Sequence, residues 1–453
     1  MTATIINPNQ EHKRLDEHYS EDKLTVERIK SKQFRLGVIG LGYVGLPLSL
    51  VFAHEGVRVT GFDVDKKKVE SISKGENYLD HLEKEGFKDL VQKGFLQATD
   101  DFSYIKQCDV VIICVPTPLT KHLEPDLEYI VKTCEAIAPH LKPQTLISLE
   151  STTWPGTTEE VVKPIIERNS SLRVGKDLFL CFSPEREDPG NPIYNTKNIP
   201  KVIGGIGEES LNLGDAVYSL GMSSVVRVKT TKEAEASKLL ENIFRSVNIA
   251  LVNELKMIFD KMDIDVWEVI KAASTKPFGY MPFWPGPGLG GHCIPIDPFY
   301  LAWKAKEEGI STRFIELAGE INRFMPSWVV GKVQDCLNDS QKPVNGSKIL
   351  ILGLAYKADI GDMRESPSLE IMQLLEDKGA KVDYFDPYIS IIPDSRDYSQ
   401  LKDKKSCQYT SDYDCFILAT DHKDFDNEDI LSKKVPIIDT RNAFPNVEGV
   451  YKA

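Results

Sequence analysis

The stretch "FRLGVIGLGYVGLPLSLVFAHEGVRVTGFDVD" constrains the fold of this chain more than any other. "LGVIG" is an apolar run of strand length, the glycine turn after it opens an apolar helix, and "RVTGFDV" is a second strand ending on a carboxylate. This is a βαβ unit. Gly40, Gly42 and Gly45 stand in GxGxxG spacing, and Asp63 follows about 20 residues on, where a dinucleotide fold places an acid.

Each part has a physical use. The glycines let the chain turn tightly and approach a pyrophosphate, the helix N-terminus attracts its charge, and Asp63 can bond both ribose hydroxyls. The turn from Gly40 through Tyr43, Val44 and Gly45 is therefore the expected cofactor contact. An acid at 63 repels the 2′-phosphate of NADP, so the sequence predicts NAD. Lys68 reads either as a group that reaches the adenosine end or as a solvated lysine. Further strands at "CDVVIICVP" and "TLISLEST" end where an open parallel sheet has its ligand crevice. Thr117 and Thr152 are candidates to line the nicotinamide there, with strand-end capping as the alternative.

The 453 residues, 41% hydrophobic and without low-complexity tracts, suffice for two or three domains. An excess of 68 acidic over 55 basic side chains, net charge −13, argues against a nucleic-acid or anionic-membrane surface. The 8 cysteines lie scattered, without a CxxC pair, so neither a disulfide framework nor a structural metal site is expected, and a reducing cytoplasm fits best. Residues 1–33 are charged, lack the apolar core of a signal peptide, and read as an N-terminal extension or packing arm. No apolar run is long enough to span a membrane.

From about residue 232, "KEAEASKLLENIFRSVNIALVNELKMIFDKM" repeats apolar residues every three or four positions without Gly or Pro. A helix of that length suits a spine between domains, with apolar surface for a dimer. After "QKPVNGS" a second βαβ pattern begins. Its turn reads GLAYK, and Ala355 and Lys357 stand where a dinucleotide turn needs small, uncharged residues. Lys357 is instead placed to meet a phosphate or hydroxyl.

The candidate chemistry centres on "GPGLGGHCIPIDP". Cys293 lies in a glycine loop rather than in an apolar strand or helix, as Cys114 and Cys181 do. Its local reading is a reactive thiol, a structural one or, with only His292 and Asp297 as companions, a metal ligand. Asp297 can orient a water or share a proton, or it can cap the helix that follows. Lys238 and Asn242 stand at i and i+4, so an ammonium and an amide can converge on one oxygen; the alternative is a solvated pair. In "LFLCFSPEREDPGNP" a strand breaks and presents Glu185, Arg186, Glu187 and Asp188, either as a solvated loop or as the source of a general base.

Taken in order, "GLGYVGLP", "CVPTP", "EST" with "PGTT", "SPE", "AEASKLLEN", "GPGLGGHCIPIDP" and "KADIGDMRESP" resemble the UDP-glucose/GDP-mannose dehydrogenase family from about residue 34 to 453. The resemblance implies an α/β chain with two Rossmann-like doubly wound domains, joined by a long central helix and a helical dimerisation region. Its expected divisions are 34–229 for NAD, 230–330 for the central helices and catalytic loop, and 331–453 for the nucleotide sugar. It also implies oxidation of a sugar-nucleotide 6-hydroxyl to a carboxylate with two NAD, in an assembly that is at least a homodimer. Cys293 would form a thiohemiacetal and then a thioester. Lys238 and Asn242 would stabilise the oxyanion, and Glu185, Asp297 and Thr152 complete the catalytic set. Arg364 would reach NAD, while Lys357 and Arg441 touch the sugar nucleotide, with Arg186, Gly290 and Gly291 beside them.

"SPEREDPGN", with Pro189 where the UDP-glucose members carry a second glutamate, and "IPIDP" after the cysteine resemble the UDP-N-acetylhexosamine branch, whose members serve surface-polysaccharide synthesis. The implied substrate is UDP-N-acetyl-D-glucosamine, ahead of the galactosamine epimer and UDP-glucose. The rival readings are a non-catalytic NAD-binding protein and an NAD-dependent epimerase. Neither the residues nor the resemblance assigns a role to His292.

Overall fold

The computed structural model of the chain describes residues 23–79, 82, 86–120, 122–188, 191, 193–291, 293–395 and 398–453. His292 and Pro189 lie outside the described residues. The chain packs as two compact units: residues up to Thr117 with Asp126–Lys238, and Pro118–Pro125 with Leu239–Ala453.

In the first unit, short apolar runs buried on both faces become the strands of a largely parallel sheet. These are β1 (Arg35–Ile39), β2 (Arg58–Phe62), β3 (Leu96–Thr99), β4 (Val110–Ile113), β5 (Leu146–Leu149), β6 (Phe179–Phe182), β7 (Lys201–Gly205) and β8 (Val225–Arg227). Their spatial order is β3-β2-β1-β4-β5-β6-β7-β8, and only β7 runs against its neighbour β6. The connecting helices are α1 (Val26–Lys30), α2 (Gly45–His54), α3 (Lys66–Ser73), α4 (Phe87–Gln92), α5 (Glu128–Ile137), α6 (Lys163–Ser170) and α7 (Gly207–Tyr218). Leu36, Val38 and Phe52 belong to one core, and Ile39, Phe62 and Ile113 to a second. The strand order reverses between β1 and β4, which places the ligand crevice of such a sheet at their carboxyl ends.

The ordered body begins earlier than residue 34. Leu24 and Ile29 are buried in the same core as β1, and α1 packs against α7. Two apolar residues in a charged segment are too few for periodicity to reveal them, but they suffice to dock one short helix.

The helix α8 (Thr231–Lys261) carries the chain into the second unit, which continues with α9 (Val266–Ser274), α10 (Asp297–Glu307) and α11 (Arg313–Asp339). A second sheet follows, built from β9 (Lys348–Leu352), β10 (Lys381–Phe385), β11 (Cys415–Leu418), β12 (Ile437–Asp439) and β13 (Val450–Lys452), with α12 (Pro367–Asp377) and α13 (Asn427–Ser432). All neighbours are parallel, in the order β10-β9-β11-β12-β13. This is the flavodoxin-like arrangement, with its switch point between β9 and β11.

The units divide inside α8, after Lys238, and α11 runs unbroken through 330 with Pro326 buried in its interior. A proline in the pattern reads as a helix stop, yet here it packs within a continuous helix. The two long helices are registered by buried amides: Asn253 of α8 donates to Asn322 Oδ1 of α11 at 3.0 Å, and Asn322 donates to the Ser246 carbonyl at 3.1 Å.

The two sheets begin with the same device. Gly40 (φ 88°) and Gly353 (φ 84°) each follow a first strand, and a Cβ at either would fall 2.4 or 2.3 Å from the carbonyl oxygen of Cys114 or Thr420. Asp63 and Asp386 each follow the next strand and accept the N–H just past the glycine, from Leu41 at 2.8 Å and Leu354 at 2.7 Å. The second turn is closed, however. Asp386 also accepts from Ala355, Tyr388, Ile389 and His422 Nε2, so protein donors occupy the carboxylate that would face a ribose.

Candidate active site

In the first unit the turn between β1 and α2 fits a dinucleotide. Gly45 has no room for a Cβ, which would overlap the Gly40 carbonyl at 1.9 Å, so β1 and α2 approach as closely as the motif requires. Gly42 differs: a Cβ there would meet nothing within 4 Å, so its backbone faces open space that a pyrophosphate can enter. Tyr43 and Val44 are half-buried at the rim. The buried Asp63 accepts from Leu41 and Lys68 on Oδ2 and from Asp65 on Oδ1. Lys68 therefore sits 3.0 Å from the acid rather than in bulk solvent. Two carboxylate oxygens offer about four acceptor sites, so capacity for a ribose hydroxyl remains.

Thr117 is buried beyond β4, and Thr152 is half-buried beyond β5. The loop bearing Thr152 is held at one end by the Ser151 hydroxyl, which donates to Val115 O at 2.7 Å. At its other end Gly156 and Thr158 donate to the carboxylate of Glu235, a residue sequence reasoning passed over. Its only signal was an acid one turn before Lys238, flanked by alanines.

Beyond β6, the Lys238 ammonium donates to the Glu185 carbonyl at 2.6 Å and to its carboxylate at 2.8 Å. Burial alone would raise the Glu185 carboxyl; the Lys238 charge and hydrogen bond, with the Glu187 N–H, outweigh it and hold it below the ordinary value. Glu187 goes the other way. Burial, then the Glu185 charge, push its carboxyl up to about 8. "SPERED" is thus neither a solvated run nor a single base, but two carboxyls whose environments separate their protonation states. Arg186 donates to Pro200 O at 2.6 Å.

In the second unit, Cys293 stands one turn ahead of α10, its carbonyl accepting from Ile296 and from Asp297 at 2.8 Å. The thiol is half-buried in the loop that leads into α10. Cys181, by contrast, is fully buried and pushed up to about 12. Ile296 is the N-cap residue of α10 and makes no side-chain bond, and Asp297 is the first residue of the helix. Its carboxylate is buried and accepts from Asn242 Nδ2 at 2.5 Å. The structure therefore pairs Lys238 with Glu185 and Asn242 with Asp297.

The loop glycines make room for protein. A Cβ at Gly286 would fall 2.8 Å from Arg441 Nη1, at Gly290 2.4 Å from Tyr356 Cβ, and at Gly291 2.8 Å from the Tyr356 ring. Gly286 N–H donates to Asn253 at 3.0 Å, and Gly291 N–H donates to Arg364 O at 2.9 Å. The loop is therefore seated on the GLAYK and DMRESP segments. The Arg364 side chain lies bidentate on Asp362, with Nε and Nη2 donating at 3.0 and 2.6 Å. The Arg441 guanidinium, which burial lowers to about 10, donates from Nε to Ala419 O at 2.7 Å, beyond β11. Lys357 is half-buried in the turn after β9. Among the described residues no His, Cys, Asp and Glu cluster could hold a metal, and no helix is long and apolar enough to cross a membrane.

The two sheets, the first with a dinucleotide turn, are those of an NAD-dependent nucleotide-sugar dehydrogenase. Residues 34–220 match the NAD binding domain of the UDP-glucose/GDP-mannose dehydrogenase family, 232–324 its central domain and 350–446 its UDP binding domain. The chain belongs to that family. A UDP-N-acetyl-D-glucosamine 6-dehydrogenase of Pseudomonas aeruginosa is 35% identical over 87% of this chain and 92% of its own. A UDP-N-acetyl-D-mannosamine dehydrogenase of Campylobacter jejuni is 36% identical over 79% and 87%. Among solved structures, a UDP-D-ManNAc dehydrogenase from Pyrococcus horikoshii superposes with a TM-score of 0.81 at 32% identity, over 91% of this chain and 96% of its own.

Proposed function

We propose that this chain oxidises the 6-hydroxyl of a UDP-N-acetylhexosamine to the carboxylate, with UDP-N-acetyl-D-glucosamine its first substrate and Cys293 its covalent nucleophile. The observation that carries the proposal is Cys293 one turn ahead of α10, with the buried Asp297 carboxylate at the start of that helix held by Asn242. The "SPERED" segment favours an N-acetylhexosamine, and the name of the P. aeruginosa relative favours the gluco sugar. A second reading, the manno epimer, has the C. jejuni relative in its favour at like identity.

Bound NAD supplies acceptance of a hydride from C6, twice for each sugar. After the first oxidation, the Cys293 thiolate adds to the aldehyde carbon, and the oxygen becomes the hydroxyl of a thiohemiacetal. The second oxidation leaves a thioester. Water then adds, the C–S bond breaks, and the thiolate departs from the carboxylate. Asn242 donates to the developing oxyanion, and Asp297, which it holds in place, takes the proton of the attacking water. Lys238 and Glu185 handle the proton of the 6-hydroxyl, Thr152 and Thr117 face the nicotinamide, and Arg364 reaches the cofactor. Lys357, Arg441, Arg186 and the loop at Gly290 and Gly291 hold the sugar nucleotide.

NADH formed per sugar consumed tests the reaction, with the two N-acetyl epimers, UDP-N-acetylgalactosamine and UDP-glucose run side by side. About two NADH per sugar is expected; about one would mean a simple alcohol dehydrogenase, and none an epimerase.

Gly286→Ala tests the seating of Arg441. The added methyl displaces the guanidinium, so the KM for the UDP-sugar should rise about tenfold while kcat stays within a few-fold. Steady-state kinetics decide, and an unchanged KM would separate Arg441 from the sugar nucleotide.

We further infer a homodimer. Leu240, Phe244, Leu251 and Ile258 stand exposed along α8, and Phe314, Leu317 and Phe324 along α11, apolar side chains that a second copy of the chain would cover. Sedimentation equilibrium measures it, with a monomer as the contrary result.

A further inference from the structure

Glu235 is fully buried on α8, one turn before Lys238. Its Oε1 accepts from the Thr158 N–H at 2.8 Å and the Thr158 hydroxyl at 2.6 Å, and its Oε2 accepts from the Gly156 N–H at 2.5 Å. A carboxylate with no exposure is costly unless its lone pairs are used, and here three donors from a single loop use them. Burial still pushes the carboxyl up to about 7 against those donors. A buried acid is an expensive tie where an apolar contact would serve, unless it fixes geometry an apolar contact cannot.

The geometry in question is that of the segment after β5. Ser151 ties its start to Val115, the residue two before Thr117. Gly156, at φ 112°, takes a conformation that L side chains rarely adopt, and a Cβ there would lie 2.6 Å from the Glu160 carboxylate. Thr157 closes the turn on Trp154 O at 2.8 Å. Thr152 lies between the Ser151 tie and the Glu235 clamp. The next turn of α8 carries Lys238, which holds Glu185. Two adjacent turns of one rigid helix thus hold the loop of the nicotinamide side and the loop of the proton-handling side.

We propose that Glu235 is a positioning residue for hydride transfer, its carboxylate fixing the Thr152 loop to the helix that bears Lys238. The inference rests on the assignment of Thr152 to the nicotinamide made above. Glu235 touches neither cofactor nor sugar; it acts through the backbone of Gly156 and Thr158.

The test uses the full chain and the most active sugar of the substrate panel, with and without two deuteriums at C6. Glu235→Gln keeps the size but sets an amide N–H against one of the loop's donors. It should lower kcat about 10–100-fold, as a displacement of about 1 Å would, with the UDP-sugar KM within about twofold. The deuterium isotope effect on kcat should rise, because hydride transfer becomes slower than the other steps. A folded Glu235→Gln protein with kcat and isotope effect unchanged would overturn the proposal. If that variant does not fold, Thr158→Val decides, since it removes only the hydroxyl donor: a smaller fall in kcat with a raised isotope effect supports the role, and neither change overturns it. Thr152→Ala is the separating arm. If it leaves kcat and the KM for NAD unchanged, the assignment of Thr152 fails and takes the proposal with it. If it impairs both while Glu235→Gln is silent, the positioning role alone fails.

Discussion

Cys293→Ser is expected to lose uronate formation by about three orders of magnitude while NAD binding, followed by NADH fluorescence or calorimetry, stays within about twofold of the parent. A serine hydroxyl in the same place ionises far less readily than a thiol and leaves poorly from an ester, so both the trapping and the release steps suffer. The half-buried position at the head of α10 makes the substitution nearly isosteric, and the protein should melt within a few degrees of the parent. Turnover unchanged in the serine variant would remove the thioester route. A loss of NAD binding would show instead that the variant is misfolded. The thiolate can also be read by itself: alkylation of Cys293 should show a midpoint below the ordinary value of about 8.5.

Lys238→Met should cost both rate and stability. It leaves the Glu185 carboxylate buried without its cation, a change worth about 3–5 kcal/mol where one partner of a buried pair is removed. Lys238→Met with Glu185→Gln should recover most of that loss, since no uncompensated charge remains, while activity should stay low under the proposed mechanism, in which both groups handle the substrate's proton. The pH dependence has a definite sign. In the parent, the Glu185 carboxyl lies below its ordinary 4.5, so the stability it contributes is present above that pH and is lost as pH falls through the lower folded value. In the single variant burial is opposed only by the Glu187 N–H and the Lys201 charge, so the carboxyl rises, and the deficit should be largest at neutral pH and shrink on acidification. Urea midpoints at pH 5 and pH 8 measure this. A deficit that does not change with pH would show that Glu185 is not the stranded charge.

Much of this chemistry was legible because it depends on residues adjacent in the chain. GxGxxG followed by an acid at the end of the next strand needs one βαβ unit, and that unit folds from local hydrophobic periodicity. Lys238 and Asn242 are one turn apart on any helix, so their shared face followed from spacing. Asp297 was undecided between a cap and a functional acid because both readings put it at the start of the same helix. Only the presence of Asn242, distant in sequence, turned its side chain inward. The loop glycines leave clearance for Arg441 and Tyr356, which arrive from other parts of the chain and which spacing could not reveal.

The sequence by itself determined the class of each sheet, the NAD turn and the order of the segments, because those follow from short-range spacing and side-chain chemistry. The tertiary structure alone decided the pairings: Lys238 with Glu185, Asn242 with Asp297, Glu235 with the loop at Gly156 and Thr158, and Asn253 with Gly286. A buried polar group must find a partner, and which one it finds depends on what packing brings within hydrogen-bond reach. The closed second turn has the same cause. Asp386 has the sequence position of a ribose-binding acid, but folding surrounded it with five protein donors and left it a structural residue.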